Sequence, residues 1–126
     1  MSLRSPLGRV LGLGTAKDGT AHWWGQRVSG AALALLGLWF AVALATMPGF
    51  SHAEAVAFIG RPVNAVLLLL LSVTMAYHSL LGVQVVIEDY VHGHGLKILS
   101  LVLSRFAHVA LAVAAVFAIL KLGIGA

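Results

Sequence analysis

From Val63 to Ile87 the chain reads VNAVLLLLLSVTMAYHSLLGVQVVI, with no aspartate, glutamate, lysine or arginine. An α-helix rises about 1.5 Å per residue, so roughly 20 residues cross the roughly 30 Å hydrocarbon core of a bilayer. This run is long enough to do so. Working outward, Val28–Met47 is equally free of charge, and Ile98–Leu120 carries only Arg105 and His108. The composition agrees: 60% of the 126 residues are hydrophobic and 10% are charged, with a mean hydropathy of +1.00. A soluble domain of this length cannot bury that much apolar surface. The expected fold is an all-α membrane protein, a single transmembrane domain over residues 1–126. Its three spans are expected at about 23–47, 63–88 and 96–121, behind a Gly-rich, loosely structured arm over 1–21.

The segments between the spans carry their own signals. Met47-Pro48-Gly49 ends the first helix, since proline cannot continue it and glycine frees the backbone. Ser51 and Glu54 have capping-box spacing, which predicts a short surface helix from Ser51 to Gly60 in the first loop. Trp23 and Trp24 read as an aromatic anchor at the membrane surface. His92-Gly93-His94-Gly95 makes the turn into the third span. Small residues recur four apart at Gly37, Ala41 and Ala45 and at Ala110, Ala114 and Ala118. Such faces let helices approach closely, either within this chain or against another membrane subunit.

Arg4, Arg9, Lys17, Arg27, Lys97 and Arg105 lie on one side of the expected topology, and only Arg61 and Lys121 on the other. The imbalance predicts a cytoplasmic N-terminus and second loop. The sequence pI near 10.2 does not signal nucleic acid, because no basic cluster or aromatic platform accompanies it. The chain has no cysteine, which excludes disulfides, zinc fingers and cysteine-ligated clusters within it. The apolar stretch Val10–Gly14 is too short for a secretory signal, so the first span is expected to be its own uncleaved anchor. Gly12-Leu13-Gly14 lacks the strand and βαβ setting of a nucleotide loop.

His78 is the residue that points to chemistry. It sits about 10 residues, or roughly 15 Å, inside its span, where an ionisable side chain is costly and calls for a partner. Two readings are open. The imidazole is neutral and satisfied by a hydroxyl such as Thr74 one turn away, or it is an axial ligand of haem iron. At about 100° per residue, Thr74, Gly82, Val85 and Asp89 fall within about 40° of His78 on its helix. Gly82 leaves room for a flat macrocycle, and the stripe ends in Asp89-Tyr90 at the membrane surface.

His78-Ser79-Leu80-Leu81-Gly82-Val83-Gln84-Val85-Val86-Ile87-Glu88-Asp89-Tyr90-Val91 resembles the signature of the smaller, D-type hydrophobic membrane anchor of succinate dehydrogenase. Gln26-Arg27-Val28-Ser29 at the entrance to the first span resembles the stretch that carries that family's arginine. The resemblance implies a subunit of succinate:quinone oxidoreductase in a bacterial cytoplasmic (inner) membrane. Its implied partners are a flavoprotein, an iron–sulfur subunit and a second membrane anchor, the C-type cytochrome b subunit. It implies one haem b shared by the two anchors, with His78 as this chain's axial ligand to the iron and Arg27 facing a propionate. Tyr90 and Asp89 would form this chain's part of the quinone site. No activity is expected from this chain alone.

His108 lies at about the same depth as His78, so a bis-histidine haem within the chain is geometrically conceivable, although the family pattern requires no histidine there. A histidine packed near Arg105 is the expectation. His22, His52, His92 and His94 are placed at or outside the interfaces, unmarked as ligands. Two rival classes remain: a proton-coupled transporter using His78, His108 and Asp89 as a relay, and an anchor without haem. The first lacks the inverted repeat and broken helices of secondary carriers.

Overall fold

The computed structural model describes residues 6–10 and 18–125. Among them are five helices and no strand: α1 Pro6–Val10, α2 Asp18–Ala45, α3 His52–Ile59, α4 Pro62–Tyr90 and α5 His94–Gly123. Thr20–Ala45, α4 and α5 are each long and apolar enough to cross a membrane. With three such helices the chain is an integral membrane protein.

The helix ends follow from sequence. Pro62 stands at the first helical position of α4, where its missing N–H costs nothing. Ser51 caps α3: its backbone N–H donates to Glu54 Oε2 at 2.8 Å and its Oγ accepts from the Glu54 N–H at 3.3 Å, the expected capping box. The Ser51 hydroxyl also donates to Glu54 Oε2 at 2.7 Å, and this bond, followed by the one from the Ser51 backbone N–H, holds the Glu54 carboxyl below the usual carboxylate range. Lys97 donates to the carbonyl of Glu88 at 2.9 Å, which places a cation on the carbonyl-rich end of α4.

Two boundaries differ from the expectation. α2 starts at Asp18 rather than at Trp23, because no proline lies between them and Gly19 sits in the first turn, where it weakens a helix without stopping it. The short α1, opened by a proline, stands inside the arm expected to be loose.

α4 is the middle helix. It packs on α2 along one side and on α5 along the other, whereas α2 and α5 do not pack on each other. The short α3 folds back over the ends of α4 and α5. Its Phe58 ring stacks on Trp39 of α2 at 6.2 Å between centroids, and its Phe58 carbonyl accepts from Asn64 of α4 at 2.9 Å. Gly123 is needed where α5 meets this corner, since a Cβ there would lie 3.1 Å from Ala65 Cβ.

Few side chains are buried by the chain itself. Among the described residues these are Leu71 and Leu81 of α4, Ile119 of α5 and the hydroxyl-bearing Ser29 of α2. The small-residue faces do not join the chain's own spans. A Cβ at Gly37 would meet nothing within 4 Å, and Ala41, Ala45, Ala110, Ala114 and Ala118 are exposed. The tight contacts lie elsewhere, because α4 enters the seam through Gly82 and α2 through Gly25 and Gly30.

Candidate functional site

The seam between α2 and α4 opens into a cavity of about 720 Å³, lined by His22, Trp23, Gln26, Arg27, Gly30, Ala31, His78, Gly82 and Val85. This volume is in the usual range for a bound organic ligand. α4 contributes His78, Gly82 and Val85, which lie four and three residues apart and so share one face. That is the stripe expected from the helical wheel, except that Thr74 and Asp89 do not line the cavity.

His78 is held by α2, not by its own helix. Its Nδ1 lies 2.9 Å from Ser29 Oγ and its Nε2 lies 3.2 Å from the Gln26 amide nitrogen. The partner expected at Thr74 is thus replaced by Ser29, because α4 turns His78 toward a neighbour carrying a hydroxyl at the same depth. The Ser29 Oγ is also 2.6 Å from the Gly25 carbonyl, four residues back on α2. Gly30 lets the imidazole sit close: a Cβ there would be 3.3 Å from His78 Cε1.

Arg27 lines the same cavity, with its guanidinium carbon 5.4 Å from the centre of the Trp23 ring. Cation–π contact holds an arginine at an aromatic face while leaving its N–H edge free for an anion.

His22 was left unmarked by the sequence reading. It lies in the cavity wall, and its Nε2 is a buried polar atom without a partner, as is Oε1 of Gln26. Unpartnered buried polar atoms are rare in folded proteins. Both atoms therefore call for a ligand or another chain at this cavity.

The pattern His22, Gln26, Ser29, Gly30 has spacings of four, seven and eight, one face of a helix. It was legible once α2 is known to begin before His22.

His108 belongs to a different site. It lines a cavity of about 350 Å³ between α4 and α5. Its Nδ1 is 2.7 Å from the Ser104 carbonyl and its Nε2 is 3.0 Å from Ser79 Oγ. Its partners are serines rather than Arg105. His78 and the Ser79 that meets His108 are neighbours that leave α4 in directions about 100° apart, so one faces α2 and the other α5.

Asp89 and Tyr90 stand at the last turn of α4, outside the cavity, and Tyr90 is 77% exposed. Asp89 is one turn beyond Val85 of the cavity wall.

The family described as succinate dehydrogenase/fumarate reductase transmembrane subunit matches residues 1–120. The chain is 34% identical over 115 residues to the succinate dehydrogenase hydrophobic membrane anchor subunit of Paracoccus denitrificans, covering 91% of this chain and 88% of that one. It is 33% identical to the protein of the same name in Rickettsia bellii, over 75% of each chain. It is 35% identical to the succinate dehydrogenase membrane anchor subunit of Reclinomonas americana, over 71% of this chain and 77% of that one. No solved structure matches it. A family match over nearly the whole length, carried on three apolar helices with a histidine cavity between two of them, leaves one assignment: the chain belongs to the succinate dehydrogenase/fumarate reductase transmembrane subunits.

Proposed function

We propose that this chain is the smaller membrane anchor of a succinate dehydrogenase in a bacterial cytoplasmic membrane. In that role it holds one side of a haem b and contributes to the site where quinone is reduced. The observation that carries the reading is the α2–α4 cavity, which is lined by His78 from α4 and Arg27 from α2 together with two unpartnered buried polar atoms. The residues present fit a haem. Gly30 and Gly82 keep the faces beside His78 free of side chains, and Arg27 offers a fork that matches a carboxylate. When bound, the haem supplies one-electron redox chemistry in the membrane.

His78 would hold the haem through one ring nitrogen, and the Gln26 amide that lies 3.2 Å from its Nε2 would compete for the same lone pair. Arg27 would hold a propionate of the haem through its guanidinium. Tyr90 donates a hydrogen bond to a quinone carbonyl, and Asp89 supports the pocket and its protons. Both are exposed at the end of α4, as suits groups whose pocket is completed by other chains. Those chains would be a second anchor that shares the haem, an iron–sulfur subunit and a flavoprotein. Succinate oxidation belongs to the flavoprotein, and this chain has no activity alone.

A reduced-minus-oxidised absorbance spectrum of the purified complex tests the reading. It is expected to show the bands of a low-spin b-type haem. A complex that oxidises succinate with a soluble dye yet shows no such bands overturns the haem assignment and leaves an anchor without haem.

Orientation is tested separately. Arg61 and Lys121 stand against the larger basic set on the other side, so single cysteines placed at Ser51 and Gly93 should label from opposite faces, the second from the cytoplasm. Labelling of both from one face contradicts the topology.

A further inference from the structure

Among the described residues Ser29 is the one buried polar side chain, 6% exposed, and it lies between two helices of the membrane domain. Its hydroxyl has one proton to give. The Oγ lies 2.6 Å from the Gly25 carbonyl and 3.2 Å from the Gln26 carbonyl, and carbonyls only accept. The proton is therefore spent on the backbone of α2. The remaining lone pairs face His78 Nδ1 at 2.9 Å, so that contact requires a proton on Nδ1. In a neutral ring Nε2 then carries the lone pair, which agrees with the amide donor of Gln26 standing 3.2 Å from it.

We propose that Ser29 is a positioning residue for His78, fixing the proton on Nδ1 so that the Nε2 lone pair faces the cavity. This rests on the reading of His78 as an axial ligand. A ligating histidine commonly donates its other N–H to an acceptor, which sets ring orientation and raises the basicity of the ligating nitrogen. A more basic nitrogen favours the oxidised, more positive iron. The backbone carbonyls of Gly25 and Gln26 absorb the hydroxyl proton and leave Ser29 an acceptor.

The test uses the whole complex with Ser29→Ala, Ser29→Thr and His78→Ala. The readouts are haem per flavin, the rate of haem transfer to apomyoglobin and the haem midpoint potential. Ser29→Ala is expected to weaken haem retention about 10- to 100-fold, the usual cost of losing such a partner. It is also expected to shift the potential to a more positive value. Ser29→Thr keeps the hydroxyl and should restore both. A Ser29→Ala complex with parental retention and potential overturns the proposal. So does a Ser29→Thr complex that matches Ser29→Ala, because the hydroxyl is then not the agent. If His78→Ala keeps the parental low-spin spectrum, the ligand lies elsewhere and the underlying haem reading fails with it. If His78→Ala loses that spectrum while Ser29→Ala changes nothing, the haem reading stands and only the role of Ser29 is lost.

Discussion

Replacing His78 with alanine is expected to abolish the low-spin b-type haem spectrum of the complex, while His108→Ala leaves it in place. His78 stands in the wall of the α2–α4 cavity beside Arg27 and two glycines. A methyl group there cannot reach a metal, so either the haem is lost or its iron turns high-spin. His108 has both ring nitrogens engaged, one with the Ser104 carbonyl at 2.7 Å and the other with Ser79 at 3.0 Å. Removing it leaves the Ser79 hydroxyl without that partner on the far side of α4, at a packing cost of about 1 kcal/mol in membrane helices. An optical and electron paramagnetic resonance comparison of the two variants decides the matter. A normal low-spin spectrum in His78→Ala moves the ligand elsewhere, and loss confined to His108→Ala moves it to α5.

Tyr90→Phe is expected to separate quinone chemistry from haem binding. The substitution removes one hydroxyl and keeps the ring. A lost hydrogen bond to a neutral carbonyl is worth about 0.5–1.5 kcal/mol net, and more in a dry site, so quinone reduction should fall at least several-fold. Succinate oxidation with a soluble dye that takes electrons upstream should stay near the parental rate, and the haem spectrum should be unchanged. Asp89→Asn should give the same split, with an altered pH profile if the carboxylate handles protons. Parental quinone rates in both variants would make the pair ordinary interfacial structure. Collapse of the dye reaction as well would assign it to assembly.

The three spans were legible because charge is scarce in them, and the short α3 because Ser51 and Glu54 have a spacing with one mechanical meaning. The face His78–Gly82–Val85 followed from helical periodicity alone. What stayed hidden was the other wall. Nothing in a linear reading says that Ser29, 49 residues away in sequence, lies against His78. Thr74 was the expected partner because it is a turn away on the same helix, yet the hydroxyl that meets the imidazole comes from the neighbouring helix. His22 was passed over because the first span was expected to start after it, and a helix begun five residues before Trp23, at Asp18, puts it on the face of Gln26. Of the two readings of the small residues, packing within the chain does not hold. Their spacing is that of a contact face, but the chain closes its own seam with Gly25, Gly30 and Gly82 instead.

Ser29–His78 on one flank of α4 and Ser79–His108 on the other join all three spans through adjacent residues of the middle helix. Apolar side chains slide along one another in lipid at little cost, since tails are as oily as the partner surface. Directional bonds do not slide. A slip of one helical turn, about 5.4 Å, would break the bond at that interface outright. The two bonds work as keys in a shaft: they index α2 and α5 to a single level of α4, and that level is the height of His78. How deep the histidine sits relative to its neighbours is thereby written into this chain's own internal gauge, ahead of any contact with another subunit.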